Sequence, residues 1–172
     1  DTTQKFVQEL ALRINKPLLI DADALSSIKP ILSSLNKGNI ILTPHMGEMS
    51  RLLGFSIDEI QKNRIKISLD FVKKYNINLI LKGPYSISVF PNGKVYINPF
   101  ANPLLATAGS GDVLTGIVVS LLAQGLDVEK ACILGNYIHS LSALIFKEKF
   151  GNRGLIARDL IENIPEVLRR IA

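Results

Sequence analysis

Three short apolar runs, each closed by a polar or turn residue, constrain this chain more than any other feature. Leu18-Leu19-Ile20 ends in Asp21, Ile40-Ile41-Leu42 in Thr43-Pro44, and Leu79-Ile80-Leu81 in Lys82-Gly83. None of the runs alternates apolar with polar residues. That is the pattern of strands covered on both faces of a parallel sheet. In open sheets of this kind ligands sit at the carboxyl ends of the strands. Asp21, Asp23, Thr43, His45, Lys82 and Gly83 therefore form one candidate rim.

Helical patterns separate the runs. Phe6, Val7, Leu10, Ala11 and Ile14 predict a helix over Thr3 to Asn15, and a second runs from Ile57 to Tyr75 with Ser56 as its N-cap. Ser86 to Phe90 and Lys94 to Asn98 flank Pro91-Asn92-Gly93, a β-hairpin signal that makes one end of the sheet antiparallel. From Gly109 onward the chain reads as helical, with segments at Asp112 to Gln124, Val128 to Phe150 and Ala157 to Ile171. There is no internal repeat or linker, and 172 residues fit one domain, 1–172. The chain starts at Asp1 rather than Met, so it reads as processed or cut from something longer.

Composition narrows the function class. Twenty Lys and Arg against fifteen Asp and Glu give +5, but the basic residues are scattered and there is no Trp, so no nucleic-acid partner is expected. No apolar run approaches the ~18 residues of a membrane span, so no membrane partner is expected either. The single Cys132 makes no internal disulfide, fits the reducing cytoplasm, and reads as helix packing. Two histidines and one cysteine, widely spaced, give no zinc site, and no residue is assigned to a metal.

The strongest local signal is Ala106-Thr107-Ala108-Gly109-Ser110-Gly111-Asp112-Val113-Leu114-Thr115-Gly116. Small residues and two glycines lead into an apolar helix. The first N–H groups of a helix lack internal partners and carry the positive end of its dipole, so an anion fits there. Asp112 falls in the first turn, where a carboxylate takes a proton from a hydroxyl attacking a phosphoryl group. The same string also reads as a plain helix start, with Ser110 as N-cap and Asp112 as a favourable charge. It is neither a P-loop nor a dinucleotide fingerprint, since no Lys follows and no strand precedes.

In order along the chain, four segments resemble the ADP-dependent NAD(P)H-hydrate dehydratases of the ribokinase-like superfamily. They are Leu19 to Leu25, Ile41 to Glu48 with Arg51 to Gly54, Leu81-Lys82-Gly83, and Asn102 to Gly116. Leu121 to Gly125 and Gly154 to Leu160 fit as well. The resemblance implies a ribokinase-like three-layer α/β/α fold with a mostly parallel sheet. It implies dehydration of hydrated NADH and NADPH with ADP or ATP as co-substrate and Mg2+ as cofactor. By the same resemblance Asp112 is the catalytic residue and also touches substrate. Gly109, Ser110 and Gly111 form the anion hole. Lys82, Gly83, Pro84, Tyr85 and Ser86, with Gly111, hold the nucleotide, while His45 and Asn102 contact the substrate. A homo-oligomer is implied, and an epimerase domain is allowed upstream. The chain departs from the family pattern at Ala101, Leu104-Leu105, Met46 and Ala108, and it lacks the extra N-terminal stretch, with its part of the substrate site. A small-molecule kinase of a vitamin precursor such as hydroxyethylthiazole, or a binding module without turnover, would share the glycine turn.

Single residues keep two readings. His45 is a substrate contact or a surface histidine. Lys82 pairs with phosphate or is an ordinary exposed lysine. Asp21 and Asp23, two apart, face the same way in an extended chain and hold Mg2+ through water, or Asp23 caps the following helix. His139 sits among Ile138 and Leu141 and reads as a satisfied helical histidine.

Overall fold

A computed structural model describes residues 2–35 and 37–171; Asp1, on which the reading of the N-terminus rests, lies outside them. It divides into two compact units, one of residues up to Gly83 with Ile87–Ile97, the other of Pro84–Ser86 with the chain from Asn98 onward.

In the first unit α1 (Thr2–Arg13) leads to β1 (Leu18–Ile20), then α2 (Asp23–Ile28), a 3-10 turn (Lys29–Ser34) and β2 (Ile40–Leu42). α3 (Met46–Leu53), α4 (Ile57–Lys62) and α5 (Arg64–Tyr75) precede β3 (Asn78–Leu81), β4 (Ile87–Val89) and β5 (Val95–Ile97). The strands lie in sequence order. β1, β2 and β3 run parallel, with Ile20 beside Leu42 and Leu42 beside Leu79. β4 and β5 run antiparallel to their neighbours, as the Pro91-Asn92-Gly93 turn predicts. Ile40, Leu42, Leu79 and Leu81 join a core with Leu25, Met49, Phe71 and Val72 from the helices. The alternate residues Ile41 and Ile80 are also fully buried, so these strands have no polar face to write into the sequence.

The predicted helix over Ile57–Tyr75 is two helices. Asn63 has φ −124° and ψ 26°, outside helical geometry, and ends α4 while starting α5. A short polar amide competes for nearby backbone in this way. Ser56 caps α4 as expected, with its Oγ accepting from Glu59 N and Glu59 accepting from Ser56 N.

The second unit is helical: a 3-10 turn (Pro103–Leu105), α6 (Ser110–Ala123), α7 (Val128–Phe150) and α8 (Ala157–Ile171). Its core joins Val113 and Ile117 of α6, Ile138, Leu141 and Ile145 of α7, and Leu160 and Val167 of α8. Gly135 lets α6 and α7 approach closely. A Cβ there would lie 2.6 Å from Val118 Cγ2 and 3.3 Å from its Cα, inside van der Waals contact. Among the described residues no helix is long and apolar enough to cross a membrane.

Candidate active site

The rim residues fall in the first unit, and the glycine turn with Asn102 falls in the second. In the first, pairing continues past the strand ends. His45 and Lys82 bridge in parallel register, and Lys82 N donates to Pro44 O at 2.8 Å. His45 is the N-cap of α3. Its Nδ1 accepts from Gly47 N at 3.0 Å and Glu48 N at 3.2 Å, and Glu48 Oε2 accepts from His45 N at 2.7 Å. This is a capping box with imidazole in the usual place of a hydroxyl. Because Nδ1 accepts, the neutral ring carries its proton on Nε2. Nε2 lies 3.4 Å from Glu48 Oε1 on a side chain 53% exposed. Gly47 makes room for the ring, since a Cβ there would sit 3.0 Å from His45 Cε1.

Lys82 is not an ordinary exposed lysine. Its Nζ lies 2.8 Å from Asp21 Oδ1 and 3.8 Å from Glu48 Oε2, with 22% of the side chain accessible. Its charge is thus balanced inside the protein. What the Lys82–Ser86 segment offers a ligand is chiefly backbone, with Gly83 at φ 151° and Tyr85 held left-handed at φ 51°. Asp21 and Asp23 do not share an extended segment. Ala22 between them has φ 53° and ψ −132° and is itself the N-cap of α2, with no side-chain cap bond, so Asp23 enters the first turn instead of capping. Such strained non-glycine backbone costs about 1–3 kcal/mol and clusters at functional sites.

In the second unit the glycine turn forms the start of α6. Gly109 is the N-cap at φ 81°, and a Cβ on it would lie 3.0 Å from Ala157 Cβ. Ser110 is therefore the first helical residue and not the N-cap. It is 9% exposed, and its Oγ turns inward to donate to Leu105 O at 2.7 Å. Ser110 N reaches Thr107 O at 3.3 Å, and Val113 N reaches Gly109 O at 3.2 Å. Among the described residues no hydrogen bond takes up the N–H groups of Gly111 and Asp112. Gly109 and Asp112 line a cavity of about 580 Å3 together with Ile117, Leu121, Ile161 and Leu168.

Asn102 caps the Pro103–Leu105 turn through Leu104 N, and its Nδ2 is buried without a hydrogen-bond partner among the described residues. Tyr85 N donates to Phe100 O at 3.1 Å. Ser86 is buried, and its hydroxyl donates to Asn136 Oδ1 at 2.7 Å. Asn98 Nδ2 joins the same cluster through Asn136 O and Ser140 Oγ. That cluster makes Pro84–Ser86 a fixed shelf.

A family model described as NAD(P)H-hydrate dehydratase matches residues 1–166. The chain belongs to that family. The bifunctional NAD(P)H-hydrate repair enzyme Nnr of Dictyoglomus turgidum is 46% identical over 174 residues, covering 99% of this chain and 34% of its own length. An ADP/ATP-dependent NAD(P)H-hydrate dehydratase from Bacillus subtilis, co-crystallised with ATP/Mg2+, superimposes with TM-score 0.83 at 29% identity, over 94% of this chain and 57% of that one. A ribokinase from Thermotoga maritima, 21% identical with TM-score 0.60 over 94% of this chain and 52% of that one, shows the fold alone to be ribokinase-like. The chain spans about a third of the length of the bifunctional relatives it matches.

Sequence reasoning gave Glu48 no role of its own and named Asp21 and His139 without the partners they meet. Glu48 ties His45 to Lys82, and its signal was the His-x-x-Glu spacing at a helix start. Asp21 is the partner of Lys82, which only strand pairing reveals. His139 reaches the glycine turn, as described below.

Proposed function

We propose that this chain carries the ADP-dependent dehydration of hydrated NADH and NADPH. The carrying observation is Asp112 beside two untaken N–H groups at one helix start, in a chain the dehydratase family model matches over residues 1–166. Asp112 accepts the proton of the hydrate's hydroxyl as its oxygen bonds to the terminal phosphorus of ADP, and AMP leaves with the electron pair of the broken P–O bond. The N–H groups of Gly111 and Asp112, with the α6 dipole, stabilise charge on the phosphoryl oxygens. Phosphate then departs from the ring carbon with its C–O electron pair, the ring nitrogen supplies electrons, and a neighbouring C–H loses a proton. The products are NADH or NADPH, AMP and phosphate.

His45 offers its Nε2–H to the hydrated nicotinamide. The backbone of Lys82–Ser86 serves the nucleotide, and Asn102 Nδ2 is a donor for substrate after a small shift. Mg2+ would neutralise nucleotide phosphates. No group of three or more His, Cys, Asp or Glu among the described residues suits a metal ion, and Asp21 and Glu48 already face Lys82. Among the described residues the protein alone does not build a cation site, and no step is routed through one.

The reaction fits the cytoplasm, where the nicotinamide nucleotides turn over. An epimerase domain upstream fits the share of the bifunctional relative left unmatched. A homo-oligomer is the assembly that the family resemblance implies, and light scattering measures it. Incubation of the protein with hydrated NADH and ADP should restore the NADH absorbance band. An active kinase that phosphorylates a small alcohol and leaves the hydrate untouched would sink this reading.

A further inference from the structure

His139 is a buried histidine with no part in the chemistry above. It sits on α7 with 6% of its surface accessible. Its Nε2 lies 2.9 Å from the carbonyl oxygen of Ser110, in the first turn of α6. A carbonyl oxygen only accepts, so Nε2 carries the proton and donates.

That carbonyl shares a peptide plane with the N–H of Gly111. In a trans peptide the C=O and the next N–H point in opposite directions. A donor that holds the Ser110 C=O inward therefore aims the Gly111 N–H outward, past the open end of the helix. Donation to the carbonyl also polarises the same amide and strengthens its N–H as a donor. The tether adds to the hold of the α6 helix at its first turn, where Gly109 and Gly111 flank Ser110 and glycine backbone is the most freely rotated.

Two further observations build the same device. Ser110 Oγ donates to Leu105 O at 2.7 Å, fixing the other side of the residue. Gly135 lies one helical turn before His139 on α7, where its missing Cβ admits Val118 of α6. The close approach of the two helices brings the imidazole within reach of Ser110.

We infer that His139 is a positioning residue for the anion hole: by tethering the Ser110 carbonyl it aims and polarises the Gly111 N–H. The inference rests on the reading of Gly109–Gly111 as the anion site. The test compares His139→Leu, which removes the donor, with His139→Gln, whose amide restores one at similar reach. Four quantities are measured on the purified protein: the Gly111 amide proton shift by NMR, kcat, KM for ADP, and the melting midpoint.

In His139→Leu the Gly111 amide should move, and kcat should fall about tenfold to a hundredfold, less than the roughly hundredfold to thousandfold for removing an oxyanion donor outright. KM for ADP should stay within about twofold. His139→Gln should recover most of the shift and the rate. Equal rates in all three proteins, or Leu and Gln variants equally impaired, overturn the inference while the dehydratase reading stands. If the unmodified protein turns over no hydrated NADH, that reading fails, and the Gly111 shift alone decides the inference. If the Leu variant does not fold, the imidazole 15N spectrum of the unmodified protein decides instead. A proton on Nε2 supports the tether, and one on Nδ1 alone overturns it.

Discussion

Two corners of this molecule are made rigid by opposite means. At the carboxyl ends of β2 and β3, charges hold the side chains. Lys82 stands between Asp21 and Glu48, and Glu48 also accepts from the backbone of His45. At the start of α6, neutral hydrogen bonds and close packing hold the backbone. Ser110 is bound through its hydroxyl to Leu105 and through its carbonyl to His139, and Gly135 sets the helix approach. The first corner presents a side chain, the imidazole Nε2–H. The second presents peptide N–H groups and keeps one carboxylate, Asp112, beside them. Charge suits the first task because a long lysine needs strong partners to stay fixed. Neutral contacts suit the second, because a peptide plane is held by hydrogen bonds to its own carbonyl and by packing.

The comparison breaks first at Asp112. Asp112→Asn keeps the shape of the α6 start and removes the base. Turnover should fall by about a hundredfold to ten-thousandfold, the usual worth of a general base. ADP affinity by calorimetry should hardly change, since the N–H groups remain. Unchanged turnover would move the base to another residue.

At the charged corner, Lys82→Met should act on stability. It removes the ammonium from beside Asp21 and Glu48, whose side chains are 13% and 10% exposed. Losing one partner of a buried pair costs about 3–5 kcal/mol, and the partial exposure of Lys82 places the expected loss near the lower figure. Urea unfolding measures it. A loss under about 1 kcal/mol, the worth of a surface pair, would mean that charge does not hold this corner.

Glu48→Ala should cost less, about 1–2 kcal/mol, through the broken capping box and the weaker hold on Lys82. It should also free the His45 ring. A rise in KM for the hydrated nucleotide at nearly constant kcat would identify His45 as a ground-state contact. No change in KM would return it to the role of a helix cap.

The two corners were unequally legible in the sequence. The three apolar runs, the hairpin turn and the helix after Gly109 follow from periodicity and turn chemistry, and the strands run parallel and then antiparallel as they suggest. Asp112 in the first turn of α6 followed from the same pattern. Partners far apart in sequence did not. Asp21 and Lys82 are 61 residues apart, and His139 and Ser110 are 29 apart, so only the fold brings them together. Local backbone also misled where the chain leaves regular geometry. Ala22 turns the chain between two aspartates that an extended reading would align, and Asn63 splits a helix whose apolar spacing runs unbroken.

The smallest effect sharpens the neutral corner, and Cys132 reports it. This cysteine lies on α7, nearly one turn before Gly135, and burial pushes its thiol up to about 12. Thiolate is the species that alkylates. In the unfolded chain the thiol ionises near ~8.5, so labelling there should quicken as pH rises through that value. In the folded protein, raising the pH over the same range should leave labelling slow, because the thiolate stays scarce. Gly135→Ala then tests the packing. Gaining a helix former stabilises α7 by about 1 kcal/mol, while the new Cβ, 2.6 Å from Val118 Cγ2, costs about 1–3 kcal/mol unless the helices part. Global stability should therefore fall by about 0–2 kcal/mol. Cys132 should also label faster and kcat should drop, as α7 shifts and draws His139 away from Ser110. Faster labelling with an unchanged kcat would separate the helix packing from the glycine turn and leave the imidazole as a packing group only.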